Sequence, residues 1–325
     1  MQFFKALSLY TLQNLPTFTE LEEFLQTTQF AAATPSQEAA SGFVPPRGEE
    51  NGAMLEAVAG WWHGSFFIER RSVPTAEVNK QVKLEIKRIK DEEGRTVGRK
   101  EKRTLKDEAI KTLLPRAFSS CRRIDFAIDP AHGLIAVDTT SQGSLDVLIS
   151  NLVTAAKSVA AGNITPAYGS NGTLSNWVLT QEPPKTFSLG RACQLDSVES
   201  KAKVAYRHIS LDTDAVRDQI RAGMGVDWVQ VTYEDRMTFN LDSSMRLNSL
   251  EMLDVTSSKE PSGSQEEGGP DAFDTNCAIF TGELSRMLPD LFAAFGLNEN
   301  GADPKHGAFL TAFGADAPRS EGGQA

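Results

Sequence analysis

The sequence has few of the residues that metal sites, disulfide frameworks and membrane spans require. Its 325 residues include four scattered histidines and three cysteines, Cys121, Cys193 and Cys277. The cysteines lie far apart without C-x-x-C spacing, which argues against a zinc site or disulfide framework and fits a reducing compartment. No apolar run approaches the roughly 18 residues of a membrane span, and the N-terminus lacks signal-peptide features. We therefore expect a cytoplasmic protein without a membrane partner.

Motifs of common enzymes are also missing. The chain contains no G-x-G-x-x-G, no G-x-x-x-x-G-K-[ST], no H-E-x-x-H and no G-x-S-x-G. Asp125 and Asp129 lie near arginines, but such carboxylate pairs occur by chance in an acidic chain. Cys121 beside Arg122 and Arg123 is interpreted as a bystander. We expect no catalytic residue, no cofactor and no enzyme activity.

The charge is unevenly distributed. The formal net charge is −10, yet residues 70–123 hold 17 Lys/Arg against 8 Asp/Glu, and the other 271 residues hold 16 against 35. A basic zone on an acidic body is typical of a localised site for a polyanion. Lysines and arginines that meet phosphates release condensed counterions, which gives affinity without sequence preference.

The basic zone centres on residues 99–118, RKEKRTLKDEAIKTLLPRAF. Leu105, Ala109 and Leu113 recur at helical spacing, so a short amphipathic helix is predicted up to the break at Pro115. A second helix is predicted over 74–90, with a proline in its first turn. Its buried stripe is Val78, Val82, Ile86 and Ile89. Away from that stripe, a row of lysines shares one side of the helix: Lys80, Lys83, Lys87 and Lys90. Together the two helices predict a projecting hairpin with one basic side.

Arg116 and Phe118 follow the proline break directly. A guanidinium beside an aromatic ring suits a backbone phosphate or a stacked base. The alternative interpretation is that Phe118 is an ordinary core residue beside a solvated helix.

The remaining periodicity predicts an α+β fold with antiparallel sheets. Alternating or short apolar runs predict strands over 4–12, 61–68, 124–128, 134–137, 187–195, 201–209, 226–233, 236–241, 245–253 and 277–280. Helices are predicted after Thr17 or Thr19, from Ser144 to about residue 160, after Thr173, after Asp212 or Thr213, and over 282–295. Residues 34–52 and 161–172 are predicted as loops, and 259–270 as a mobile segment.

Several motifs resemble the recombination-associated RdgC protein family. LKDEAIKTLLPRAFS (105–119) and IDPAHGLIAVDTTS (128–141) carry the likeness most specifically. Looser matches occur in the same order: FKAL (4–7), GFVPP (42–46), LSNWV (174–178), DW at 227–228 leading into the meander, and F-x-GEL (280–284). Together they cover residues 1–297.

The resemblance implies horseshoe-shaped α+β subunits that pair into a ring-shaped homodimer around duplex DNA. Such a protein is expected to bind DNA without sequence specificity, to associate with the nucleoid and to limit RecA-type strand exchange; whether single strands also bind stays open. It implies that Arg116 and Phe118 lie near the tip of a projecting arm, at the DNA and dimer contacts. The family's basic pair before the later helix is represented here by Arg207 and His208. After LLPRAFS the family has a basic residue where this chain has Ser120, and Arg122 and Arg123 follow closely.

The candidate DNA-binding residues combine these sources. They are Lys80, Lys83, Lys87, Arg99, Lys100, Lys102, Arg103, Lys106, Lys111, Arg116, Phe118, Arg122, Arg123 and Arg207. The predicted organisation has a central α+β domain (1–72 and 120–180), a projecting basic helical arm (73–119), a C-terminal α+β domain (181–297) and a flexible tail (298–325). Two rival functions stay open: a Mg²⁺-dependent nuclease, and an interaction scaffold whose basic helices bind an acidic partner.

Overall fold

The computed structural model describes residues 4–166, 169–197, 199–253 and 270–302. Its strands are β1 (Ala6–Gln13), β2 (Ala39–Val44), β3 (Leu55–Val58), β4 (Trp61–Arg71), β5 (Ser119–Asp129), β6 (Leu134–Val137), β7 (Ala160–Asn163), β8 (Phe187–Asp196), β9 (Lys203–Arg207), β10 (Gly225–Tyr233), β11 (Met237–Asp242) and β12 (Leu247–Met252). Its helices are α1 (Phe18–Thr27), α2 (Thr75–Glu93), α3 (Arg99–Leu113), α4 (Gln142–Ala155), α5 (Ser170–Thr180), α6 (Asp214–Arg221) and α7 (Pro270–Ala294). The predicted α+β class is confirmed.

The described strands form one antiparallel sheet. Its order is β2-β4-β5-β6-β1-β12-β11-β10-β8-β9, with β3 also paired to β4 and β7 also paired to β1. Strand β1 joins the two halves of this order, because Ala6 and Leu7 pair with β12 while the following residues pair with β6 and β7. The predicted meander of β10, β11 and β12 is confirmed by the pairing.

Alternating strands and amphipathic helices bury two large apolar clusters. One lies against α1 and α4 and includes Leu25, Phe66 and Phe126. The other lies against α5, α6 and α7 and includes Val229 and Phe292. Removing these side chains from water is the main force that fixes both ends of the sheet.

The helices α2 and α3 pack on each other beyond the sheet. They form a hairpin between β4 and β5 and share a small cluster of their own, with Val78, Val82 and Ala109 buried. The predicted helical hairpin is therefore present, and the two helices with their connector 94–98 are called the arm below.

Three predicted segments are wrong. Residues 39–44 of the predicted loop are β2, because they pair in register with β4. Residues 160–163 form β7 on β1, and the helix after them begins at Ser170 rather than after Thr173. Residues 277–280 are not a strand, because they lie inside the 25-residue helix α7, where Cys277 and Phe280 are buried and Ile279 is exposed.

Helix caps were predicted with mixed success. Thr17 caps α1 through a capping box with Glu20, as expected. Ser141, not Ser144, precedes α4, and Ser144 lies buried inside that helix, which ends at Ala155. The predicted mobile segment lies outside the described residues except for Pro270, and the tail does so from residue 303; residues 298–302 form a hydrogen-bonded turn.

Candidate nucleic-acid interface

The arm is built from two helices joined by one chain reversal. Helix α2 begins after Pro74, whose fixed φ suits a helix start, and ends at Gly94 in the left-handed conformation (φ 66°). Helix α3 begins after Gly98 and returns antiparallel to α2. Half-buried Ile86, Leu105 and other apolar side chains extend the seam between the helices. This seam fixes how each helix is rotated and therefore where its charges point.

The two sides of the arm carry opposite charge. Successive side chains on a helix are rotated by about 100°. With the seam fixed, the antiparallel pair α2 and α3 therefore presents one set of side chains on each of the two broad sides of the arm. The first set, here called the basic face, is Lys83, Lys90, Arg99, Arg103 and Lys106. The second set, here called the acidic face, is Glu77, Glu85, Glu92, Glu101 and Glu108. Asn79, Lys106 and Ile110 line one cleft at the base of the arm, which places these parts of α2 and α3 on the same side.

Ion pairs on the arm involve the acidic face. Glu77 pairs with Lys80 at 3.7 Å, and Glu85 pairs with Arg88 at 2.9 Å. Glu101 holds Arg95 at 2.7 Å, and hydrogen bonds from that guanidinium lower the pKa of the Glu101 carboxyl. No side chain of the basic face forms an ion pair with another described residue. Exposed cations without carboxylate partners can release counterions to a polyanion.

The other predicted cations of the arm point elsewhere. Lys80 and Lys87 lie on the outer edge of α2, whereas Lys100 and Lys111 lie on the outer edge of α3. Lys102 is exposed at the start of α3, close to the seam. The candidate residues of the arm therefore lie on its basic face, on the outer edges of both helices and near the seam. The basic run 99–103 does not form one flat surface.

Arg116 and Phe118 lie at the root of the arm. A short 3-10 turn, Leu114–Arg116, follows α3, and buried Leu114 anchors it. The next strand, β5, then begins beside the start of α2, where the backbone amide of Ser72 donates to the Phe118 carbonyl at 3.4 Å. The expected position near the far end of the arm is wrong for the single subunit, because the far end is the connector 94–98.

The Phe118 ring is 93% exposed, which excludes the interpretation of it as a core residue. Arg116 is also exposed. A large aromatic ring that gains nothing from its own fold is available for a partner, whether nucleic acid or protein.

Arg122 and Arg123 project to opposite sides of β5. Arg123 is held within the subunit, with Nε at 2.9 Å from Asp125 Oδ1 and Nη2 at 2.8 Å from Ser65 Oγ and 2.5 Å from the Pro46 carbonyl. Arg122 Nη2 donates to Thr139 Oγ1 at 2.9 Å. Both guanidinium groups brace the sheet, which reduces their availability to DNA.

Arg207 is not brought together with the arm. It lies at the end of β9, the edge strand at one end of the strand order, whereas the arm connects β4 and β5 near the other end. Lys90, by contrast, belongs to the basic face; the sequence placed it with Lys80, Lys83 and Lys87, but the list of candidate DNA-binding residues left it out. The spacing of three and four residues from Lys80 through Lys90 was the signal for it.

Other site chemistry is sparse in the part of the chain that the structure describes. There, no group of three or more His, Cys, Asp or Glu side chains is arranged to hold a metal ion. Within the same residues, no helix has the length and apolar character to cross a bilayer. Burial raises the pKa of the Cys193 and Cys277 thiols to about 11 and about 12, so both stay protonated near neutral pH.

Comparison with known proteins decides the family. A family model described as "Putative exonuclease, RdgC" matches residues 2–298. The chain belongs to the RdgC family. The resemblance read from the sequence motifs is thus confirmed, and so is the family's association with recombination.

Relatives in the RdgC family match over most of their length. The "Recombination-associated protein RdgC" of Herminiimonas arsenicoxydans is 30% identical over 297 residues, covering 90% of this chain and 98% of the relative. The protein of that name from Janthinobacterium sp. (strain Marseille) is 31% identical over 256 residues, covering 78% and 84%. That of Dechloromonas aromatica (strain RCB) is 28% identical over 303 residues, covering 90% and 97%.

Proposed function

We propose that this RdgC-family chain binds duplex DNA without sequence specificity through the basic face of its arm. The observation that supports this most is the separation of charge on the arm: exposed, unpaired cations share one side, and the carboxylates that could neutralise them share the other. No helix-turn-helix or zinc finger is needed for such binding, because phosphate contacts carry no sequence information.

The proposal includes a ring-shaped homodimer of horseshoe-shaped subunits around the duplex. The 93% exposure of Phe118 supports it, because a solvent-exposed aromatic ring at the root of the arm is suited to a contact with a second subunit. A closed ring would hold DNA by topology as well as by charge. It would limit RecA-type strand exchange by occupying the duplex, and it would associate with the nucleoid.

Charge reversal on the arm tests the proposed interface. The double variant Lys83→Glu/Lys106→Glu removes two phosphate contacts, so the log–log slope of affinity against salt should fall by about two. The matched control, Lys157→Glu/Lys185→Glu, makes the same change in net charge at exposed positions outside the arm. Equal losses in the two variants would contradict a localised interface.

A competition assay tests the ring separately. Closed circular DNA should compete more weakly than the same DNA after linearisation, because a closed ring reaches linear DNA through its ends. Equal competition would argue against encirclement and leave binding by the basic face intact.

We also propose that the protein acts by binding rather than by cleavage. The family description names an exonuclease, so the two functions need a direct comparison. Purified protein incubated with end-labelled linear duplex and Mg²⁺ or Mn²⁺ should leave the label at full length. Metal-dependent shortening that follows the protein through purification would contradict the proposal.

A protein-binding scaffold is the second candidate. Leu84 is 58% exposed on the outward side of α2, in the turn between Lys80 and Lys87. An apolar side chain flanked by cations suits an acidic amphipathic partner. Absence of duplex binding at low salt, together with binding of an acidic peptide that Leu84→Ala abolishes, would favour this function.

A further inference from the structure

A polar cleft lies on the open face of the sheet, far along the strand order from the arm. It encloses about 380 Å³ and crosses strands β8, β10, β11 and β12 beside the end of β9. It is called the sheet cleft here. Its lining residues are Arg191, Ala192, Arg207, His208, Trp228, Gln230, Thr238, Asn240, Ser249 and Glu251.

The sheet cleft lies on the face opposite the core. Along β10, Val229 and Val231 are buried among the apolar residues that contact α5, α6 and α7. Trp228 and Gln230 alternate with them and are half-buried on the other face. Because neighbouring strand residues point to opposite sides, Trp228 contributes nothing to that core. Its indole lines the cleft instead, as the largest apolar surface there.

Two amide side chains in the sheet cleft are placed for recognition. Gln230 Oε1 accepts a hydrogen bond from the Arg191 backbone amide at 2.9 Å. Gly190 makes this possible, since a Cβ at that position would lie 2.6 Å from the Gln230 side chain. The Gln230 oxygen is therefore engaged, and its NH₂ group donates to no other described residue. Asn240 has no side-chain partner among the described residues.

Two guanidinium groups border the sheet cleft. Arg191 Nη2 donates to the His208 carbonyl at 3.0 Å, which holds it across the β8–β9 edge. Arg207 is exposed and forms no ion pair with another described residue. Glu251 is the one carboxylate in the lining, so the cleft has a small positive balance.

From this combination we infer that the sheet cleft is a second nucleic-acid site, and that it binds single strands by stacking an unpaired base on Trp228. An aromatic platform with nearby cations and amides on an open antiparallel sheet suits exposed bases and their phosphates. A duplex keeps its bases stacked on each other and cannot offer a face to Trp228. The inference rests on the proposed DNA-binding function and extends it to a separate surface.

Binding of a fluorescein-labelled dT₂₀ and of a duplex of equal length, both followed by anisotropy, tests the inference. Trp228→Ala should weaken dT₂₀ binding at least fivefold, the lower end expected for loss of one stacked base, and leave duplex affinity within twofold. Trp228→Phe keeps a ring and should restore most of the loss. Lys157→Ala, at an exposed position outside the cleft, is the control.

A second variant covers the case in which Trp228→Ala does not fold. Asn240→Asp keeps the side-chain shape and adds a negative charge inside the cleft, so it should weaken dT₂₀ binding and spare the duplex. Unchanged dT₂₀ affinity in either folded variant would overturn the inference. Loss of duplex binding in the arm variant with dT₂₀ binding retained would support two sites, whereas absence of both activities in the wild-type protein would refute the proposed function itself.

Discussion

Arg95 and Glu101 form a two-point salt bridge at the far end of the arm. Arg95 Nη1 lies 2.8 Å from Glu101 Oε2, and Nη2 lies 2.7 Å from Oε1. The same guanidinium donates from Nε to Glu93 at 2.5 Å. One cation of the basic zone is thereby used to tie the connector 94–98 to α3, and it neutralises part of the acidic face rather than adding to the basic face.

Removing this salt bridge should loosen the connector without unfolding the protein. Arg95 and Glu101 are both solvent-accessible, and exposed pairs contribute little to global stability. We expect Glu101→Ala to raise the amide hydrogen-exchange rate across 94–98 while the thermal midpoint stays close to that of the wild type. Lys157→Ala, outside the arm, is the control. Unchanged exchange in the connector would show that the pair does not order it.

Arg116→Ala should weaken duplex binding equally for unrelated sequences. The exposed guanidinium at the root of the arm is expected to contact one phosphate, so the salt slope should fall by about one. Anisotropy titrations at several salt concentrations measure this. An unchanged affinity and slope would rule out a phosphate contact by Arg116.

Phe118→Ala should disturb the proposed dimer and leave the subunit folded. The ring is 93% exposed, so its loss creates no cavity in the subunit. Sedimentation velocity should show a shift toward monomer at low micromolar protein, with an unchanged thermal midpoint of the monomer. Phe126→Ala is the contrasting variant, because Phe126 is fully buried and its truncation should cost about 3–5 kcal/mol. Wild-type association in Phe118→Ala would contradict a dimer role.

Stability should fall in mild acid because of His63. Its ring is 1% exposed and lies beside Phe273. Burial lowers the His63 pKa to about 4, although Asp125, the Val58 backbone and Asp274 each act to raise it. In the unfolded chain the His63 ring takes up a proton near pH 6.5. The resulting loss in the free energy of unfolding is therefore absent above that pH and grows as the pH falls toward 4, to at most about 3 kcal/mol.

The variant His63→Leu isolates this effect from the carboxylates that also titrate. Urea unfolding at about pH 7.5 and about pH 5 gives the free energy of unfolding for both proteins. The variant should gain stability relative to wild type as the pH falls. A difference between the two proteins that does not change with pH would show that His63 does not titrate as described.

The parts of the fold that were predictable carry strong local signals. The capping box of Thr17 and Glu20 marks the start of α1, and alternation marks β10 and β11. Strand β2 carries no such signal, because AASGFV has weak β propensity and depends on pairing with β4. Gly42 is required there, since a Cβ would lie 2.4 Å from the Phe30 backbone. Contacts of this kind depend on tertiary structure and cannot be read from periodicity.

The sequence predicted which segment carries the cations of the candidate site, but not which of those cations share a surface. The count of lysines and arginines located the arm, but the rotation of α2 against α3 decides which of them share a face. Arg123 illustrates the difference, because its bonds to Ser65 and Asp125 come from strand pairing between β4 and β5. Trp228 was noted only as part of a family motif, and its place on an open sheet face depends on which side of β10 the helices cover.

Duplex binding by wild-type protein across a range of salt concentrations is the most direct test of the central claim. Anisotropy with two unrelated duplexes of equal length should give the same affinity for both, with log affinity falling linearly as log salt rises. No binding at low salt, or binding that depends on sequence and ignores salt, would contradict the assignment of the basic face to the DNA backbone.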